Sequence, residues 1–261
     1  MVFYHNIDPV LLNIGPLTLR WYGIMFALGL FSAYLVTYYI FKREKKDIKL
    51  LDSLVFYIFF GVLIGARMGE VLFYNFDYFL HNPLKVFYVW EGGLASHGAA
   101  IGILVAFLLW LKVKNLKFSD FADKIAVSIP IAAGFVRIGN FFNSEIMGKV
   151  SGSDYGVVFQ KLGEDFPRHP SQLYESIIAF SIFGILFFLY KNCKKLPKNF
   201  LVTLFVFLYF STRFLIEFVK EKQVMSDSSL LSMGQILSIL PVLIAFVYFF
   251  VLFRKIKKAR T

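Results

Sequence analysis

The chain of 261 residues contains a single cysteine, Cys193, which excludes an internal disulfide framework, a CxxC redox pair and a zinc site built from several thiolates. Charge is also scarce: Asp, Glu, Lys and Arg supply 17% of the residues, while 58% are hydrophobic. An ordinary soluble domain carries about a quarter charged residues, and a chain this short has too much surface to hide so much apolar matter from water. A water-soluble globule is therefore excluded, and lipid must be the solvent for most of the chain. The catalytic signatures GxSxG, SxxK, HExxH and the P-loop are missing too, so any nucleophile has to arrive with the substrate. The net charge of +11 does not indicate a nucleic-acid groove, because the basic residues sit in short runs between apolar stretches.

What is present is a series of long apolar runs. Crossing about 30 Å of hydrocarbon takes roughly 20 helical residues, and seven runs of that order occur, near 21–41, 53–74, 93–111, 122–142, 173–190, 200–219 and 232–253. Backbone groups in lipid must bond within their own segment, and alternating ten-residue strands are lacking, so the expected fold is an all-α bundle, one polytopic membrane domain over 1–261. Lys and Arg divide unevenly between the two sides. The segments after spans one, three, five and seven hold seventeen, among them Lys42, Arg43, Lys112, Lys191 and Arg254, whereas the opposite side holds seven. The positive-inside rule then predicts an outer N-terminus and a cytoplasmic C-terminus. No basic run precedes the first span, which reads as retained and not as a cleaved signal. Residues 1–19, apolar and nearly uncharged, are expected along the outer interface.

A charge at the bilayer centre costs roughly 2.5 to 3.5 kcal/mol on insertion scales, so each one needs a partner or a purpose. Arg67 and Glu70, His97, Arg137 and Asn140, Tyr174 and Glu175, Arg213 and Glu217, and Gln235 all fall toward the predicted outer ends of their spans. That agreement among six helices points to one polar cavity open to the outer leaflet. Arg137, Asn140 and Ser144 would share a face of an unbroken helix, with Asn143 and Glu145 at its mouth. Arg67 with Glu70, and Arg213 with Glu217, have the spacing of intrahelical ion pairs. Arg137 has no carboxylate one turn away on its own helix and must look across the bundle. Planar guanidinium forks match phosphate oxygens, and the nearest phosphate in a leaflet is a phospholipid headgroup. His97 is either a cap or packing group or a residue that titrates in the site; His5, His81 and His169 form no metal set with it by spacing. Gly61, Gly65 and Gly69 make a small-residue stripe expected to pack against another helix.

The stretches Arg20-Trp21-Tyr22-Gly23, Gly92-Gly93-Leu94-Ala95-Ser96-His97-Gly98, Arg137-Ile138-Gly139-Asn140-Phe141-Phe142-Asn143-Ser144-Glu145, Arg168-His169-Pro170-Ser171-Gln172-Leu173-Tyr174-Glu175, Arg213-Phe214-Leu215-Ile216-Glu217 and Ser232-Met233-Gly234-Gln235-Ile236-Leu237-Ser238, in that order, resemble the motif series of the bacterial prolipoprotein diacylglyceryl transferases. The chain departs from the family's usual pattern at Ala99, Val136 and Ser144, where glycine, glycine, and glycine or histidine are common. The resemblance implies a multi-pass enzyme of the bacterial cytoplasmic (inner) membrane. Its partners would be the bilayer, phosphatidylglycerol and the signal peptide of a prelipoprotein, whose lipobox cysteine receives the diacylglyceryl group as a thioether while glycerol phosphate leaves. It also implies roles: Arg137 and Arg213 hold the phosphate, Tyr22, Asn140 and Gly98 position the headgroup, Glu145 and Glu217 orient the arginines, and His97 activates the thiol. No metal or organic cofactor is expected, since phosphate leaves readily once its charge is met.

Overall fold

The computed structural model describes all residues except Pro16, Ser153, Lys194, 222–230 and 259–261. Among the described residues, eight α-helices carry most of the chain: α1 Trp21–Arg43, α2 Ile48–Phe73, α3 Phe76–His81, α4 Ser96–Val113, α5 Phe118–Phe142, α6 Ser171–Asn192, α7 Phe200–Ile216 and α8 Met233–Lys258. Five of them, α1, α2, α5, α6 and α8, are long and apolar enough to cross a membrane. The remaining two expected spans are the shorter apolar helices His97–Val113 and Phe200–Ile216. Large side chains such as Phe56, Phe59, Phe73, Ile101, Leu240 and Phe246 stand exposed along these helices, an arrangement that only a lipid surround tolerates on this scale.

Four short strands among the described residues qualify the all-α expectation. Residues 1–19 contain β1 Val2–His5, β2 Val10–Ile14 and the start of β3 Leu17–Arg20; β2 and β3 form an antiparallel hairpin, and β1 pairs in parallel with β4 Gly156–Phe159, with His5 opposite Phe159. The backbone of the leading segment is thus paired in strands, which periodicity over so few residues does not announce, while Leu11, Leu12, Ile14 and Leu19 stand exposed.

By its contacts the chain forms two compact units, one of Met1–Thr37 with Ala122–Thr261 and one of Tyr38–Phe121. In the second unit, α2 and α4 meet along the expected glycine stripe. A Cβ at Gly65 would lie 2.5 Å from the Gly98 carbonyl oxygen, and one at Gly61 2.6 Å from both the Gly102 carbonyl and Ala106 Cβ. Only hydrogens fit there, so the two backbones come into direct contact. Gly98, expected among the headgroup-binding residues, is occupied by this crossing: its own Cα side faces Gly65 and Gly69.

Arg67 takes neither of the places expected for it. Its guanidinium donates to five backbone carbonyls: Nε to Val86 at 2.9 Å, Nη1 to Gly92 at 2.6 Å and Gly93 at 3.1 Å, and Nη2 to Tyr88 at 3.2 Å and to Lys85. It also lies over the Phe79 ring. Glu70 instead accepts from Asn75 Nδ2 at 2.6 Å. Backbone leaving regular structure needs donors for its carbonyls, and a five-donor fork supplies them more compactly than any neighbour on α2.

In the first unit, α1 and α5 approach at Gly29, beside Ala132 and Phe135, and are tied by Thr37 Oγ1 to Ser128 Oγ at 2.9 Å. Asp123 on α5 caps α7 from outside, accepting from Asn199 N at 2.8 Å and Val202 N at 2.9 Å, where a carboxylate meets both the free N–H groups and the positive helix end. Under β1 and β4 lies a small core of Phe141, Val157 and Phe159, with Met147 and Leu173 against it. His5 is wholly buried in it, edge-on to Phe141, with Nδ1 3.4 Å from Ser144 Oγ.

Burial holds the His5 imidazole below its ordinary pKa, against a smaller raising effect of its own backbone hydrogen bond. The unfolded chain then binds the proton more readily than the folded one, so His5 costs no stability above the unfolded value of about 6.5 and costs progressively more below it. Thermal unfolding followed from pH 7.5 to 5.5 should show the wild type losing stability more steeply than His5→Phe. Parallel curves for the two proteins would remove His5 as the cause.

Candidate active site

The site is built on the last turns of α5. Arg137 and Asn140 stand one turn apart, and Arg137 Nη1 donates to Asn140 Oδ1 at 3.3 Å. The helix stops at Phe142, because Ser144 and Ile146 adopt left-handed backbone with φ of 54° and 57°. Glu145 N closes the end by donating to Asn140 O at 3.0 Å, the kind of bond that satisfies a terminal carbonyl. This turn takes Ser144 off the face that an unbroken helix would have shared with Arg137 and Asn140. The Ser144 hydroxyl goes to buried His5, whereas the Glu145 carboxylate folds back to Asn140 Nδ2 at 3.4 Å and Asn143 Nδ2 at 3.2 Å. Glu145 therefore reaches Arg137 through Asn140 and not directly.

Two fully buried residues at the start of α6 hold the turn. Ser171 Oγ donates to Ile146 O at 2.9 Å, and Gln172 Nε2 donates to Glu145 O at 2.6 Å. Arg168 fastens the preceding loop through Glu164 at 2.7 Å, Glu221 at 3.0 Å and the Gly148 carbonyl at 3.3 Å. Tyr22 on α1 lies against Gly139, where a Cβ would be 3.0 Å from its ring, and is within electrostatic reach of Glu145 and Arg137.

The partner that Arg137 needs across the bundle is Glu175 of α6, with Nε 3.0 Å from Oε2. The other oxygen of Glu175 is 3.3 Å from Lys220 Nζ, and Lys220 also pairs with Glu217 at 3.2 Å. Lys220 is only 6% exposed. Glu217 is completed by Ser232 Oγ, which donates to Oε2 at 2.7 Å and itself accepts from Gln235 N at 3.1 Å, while Gln235 Oε1 accepts from Ser232 N at 2.9 Å. This reciprocal pairing is a capping box at the start of α8, and Gly234 leaves the room for the Glu217 carboxylate. Thus Glu217, expected to orient Arg213 one turn away, is engaged by Lys220 and Ser232 instead. Lys220 and the part played by Glu175 were missed by sequence reasoning. Glu175 carried a signal, as a carboxylate at matching depth on a neighbouring span, but Lys220 lay just past an expected span end and looked like an ordinary loop cation.

Arg213 has no ion pair or hydrogen bond among the described residues, and its side chain lines a small cavity of about 20 Å³ together with Arg137, Glu175, Tyr209 and Thr212. One guanidinium is tied and oriented; the other is open. Two arginines against one carboxylate leave the pocket walls net positive, a balance that favours negative charge, and the fork geometry favours a planar or tetrahedral oxyanion. His97 and Gly98 belong to the Tyr38–Phe121 unit, where His97 is exposed near the start of α4.

These features define a multi-pass helical membrane protein with a buried cationic pocket among its helices. The family model for prolipoprotein diacylglyceryl transferase matches residues 9–251. A phosphatidylglycerol–prolipoprotein diacylglyceryl transferase of Tolumonas auensis is 41% identical over 243 residues, covering 92% of this chain and 93% of the relative. Proteins of the same name from Bacteroides fragilis (40% identical, covering 98% of this chain and 96% of the relative) and Francisella tularensis subsp. tularensis (38%, covering 99% and 98%) align over nearly their whole length. The chain belongs to the prolipoprotein diacylglyceryl transferase family.

Proposed function

We propose that the protein transfers the diacylglyceryl group of phosphatidylglycerol to the lipobox cysteine of a prelipoprotein, the first step of bacterial lipoprotein maturation. In this reading the cysteine sulfur attacks the glycerol carbon that bears the phosphate, the carbon–oxygen bond breaks, a thioether forms and glycerol phosphate departs with the bonding electrons. The observation that carries it is the open guanidinium of Arg213 beside the tied guanidinium of Arg137 in one pocket. Negative charge grows on the phosphate as it leaves, and donors already aimed there stabilise it without reorganising. Asn140 and Tyr22 are assigned to the headgroup, and Glu145 to holding Asn140. A free thiol has a pKa of about 8.5, so removal of its proton needs help at neutral pH; that proton is assigned to His97, with Gly98 beside it.

The same reading places seven helices across the bacterial cytoplasmic membrane as one domain, with the N-terminus outside and the C-terminus in the cytoplasm. The unequal loop charge and the seven apolar helices support it. The test is incubation of the purified protein with phosphatidylglycerol and a lipobox peptide. The peptide should gain the mass of a diacylglyceryl group at its cysteine, and glycerol phosphate should appear in equal amount; a lipid scaffold or flippase would yield neither. With His97→Gln the rate should fall by about 10² or more. Full activity of His97→Gln would remove it from the mechanism.

A further inference from the structure

Arg213 and Glu217 stand one turn apart at the end of α7, a spacing at which opposite charges ordinarily pair. They do not pair here, because Glu217 Oε1 is held by Lys220 and Oε2 by Ser232. Lys220 Nζ at the same time holds the Glu175 oxygen that Arg137 leaves over. One buried ammonium therefore satisfies two carboxylates, each with no more than a tenth of its side chain exposed. Remove that ammonium and Glu217 keeps a neutral hydroxyl as its only partner among the described residues. A buried carboxylate in that position seeks a cation, and the open one on its own helix is Arg213.

We propose that Lys220 is a positioning residue for the reaction: it keeps Glu217 away from Arg213 and so leaves that guanidinium open to the phosphate of the lipid. Its effect is on anion binding more than on the chemical step. The assignment rests on the proposed function, and it concerns a residue that touches neither the lipid nor the reacting atoms.

The expected result is that Lys220→Met binds phosphatidylglycerol in nanodiscs at least tenfold more weakly than wild type and raises KM by a similar factor, with a smaller fall in kcat. Lys220→Arg should stay near wild type. The double variant Lys220→Met/Glu217→Gln should regain most of the lost affinity, because no carboxylate remains to capture Arg213. A merely structural role for Lys220 makes the double variant no better than the single one, and that outcome overturns the proposal, as does unchanged binding by Lys220→Met. If Lys220→Met does not accumulate, Lys220→Gln, which keeps hydrogen bonding but not the charge, carries the same expectations. Binding is read separately from turnover. A wild type that makes no thioether therefore defeats the functional reading, whereas a wild type that turns over while the lysine variants bind normally defeats only this one.

Discussion

Arg137→Lys and Arg213→Lys are each expected to lose about 10²-fold or more in kcat/KM for phosphatidylglycerol, and the alanine variants about 10³-fold. An ammonium keeps the charge but gives up the planar fork. The two losses should differ in kind. Arg137 pairs its charge with Glu175 and donates Nη1 to Asn140, which leaves Nη2 for a ligand; a lysine there cannot hold both neighbours in that geometry and still face the phosphate. Its loss should fall mainly on kcat, because the aim of the donor is what suffers. Arg213 has nothing to hold among the described residues, so its replacement should raise KM as well as lower kcat. Assay of diacylglyceryl transfer with both lipid and peptide concentrations varied separates the two. Rates near wild type for both lysine variants would contradict bidentate holding of the phosphate.

The largest stability effect is expected at Arg67. Arg67→Leu removes five hydrogen bonds from the carbonyls of Lys85, Val86, Tyr88, Gly92 and Gly93, together with the contact to Phe79. Hydrogen bonds from a charged donor are worth about 1.5 to 3 kcal/mol each, but several of these carbonyls can turn to water, so a total near 3 kcal/mol is expected and not the full sum. The change should appear as a lowered unfolding temperature and as faster tryptic cleavage after Lys85, which belongs to the clamped segment. Arg67→Lys should recover little, because three donors on a point cannot reach five carbonyls spread over nine residues. Unchanged cleavage at Lys85 in Arg67→Leu would show that the segment is held by something else.

Much of the architecture was legible because it depends on quantities that a linear chain displays. Apolar run length marked the seven helices, five of them long enough to span by themselves. The stripe Gly61, Gly65 and Gly69 announced a close helix crossing, which the structure makes with α4, since only the absence of a side chain lets backbones touch. Arg137, with no carboxylate one turn away on its own helix, announced that one must come from elsewhere. Legibility ended where a residue had more than one neighbour to choose from. Arg67 had Glu70 one turn away and bonded to carbonyls from a loop; Glu217 had Arg213 one turn away and bonded to Lys220 and Ser232. Spacing along a helix lists the partners within reach, but it does not rank them against groups brought in from other elements.

By itself, then, the order of residues determined that the chain dissolves in lipid, that its elements are mainly helices and which family it belongs to. Those properties follow from apolar content, run length and motif order, all local sums along the chain. Tertiary structure alone decided which carboxylate neutralises which cation, and so which guanidinium is left open. That depends on distances between side chains far apart in the chain, such as Glu175 and Lys220, which are 45 positions apart, and in a low-dielectric interior a difference of an ångström or two selects the pair.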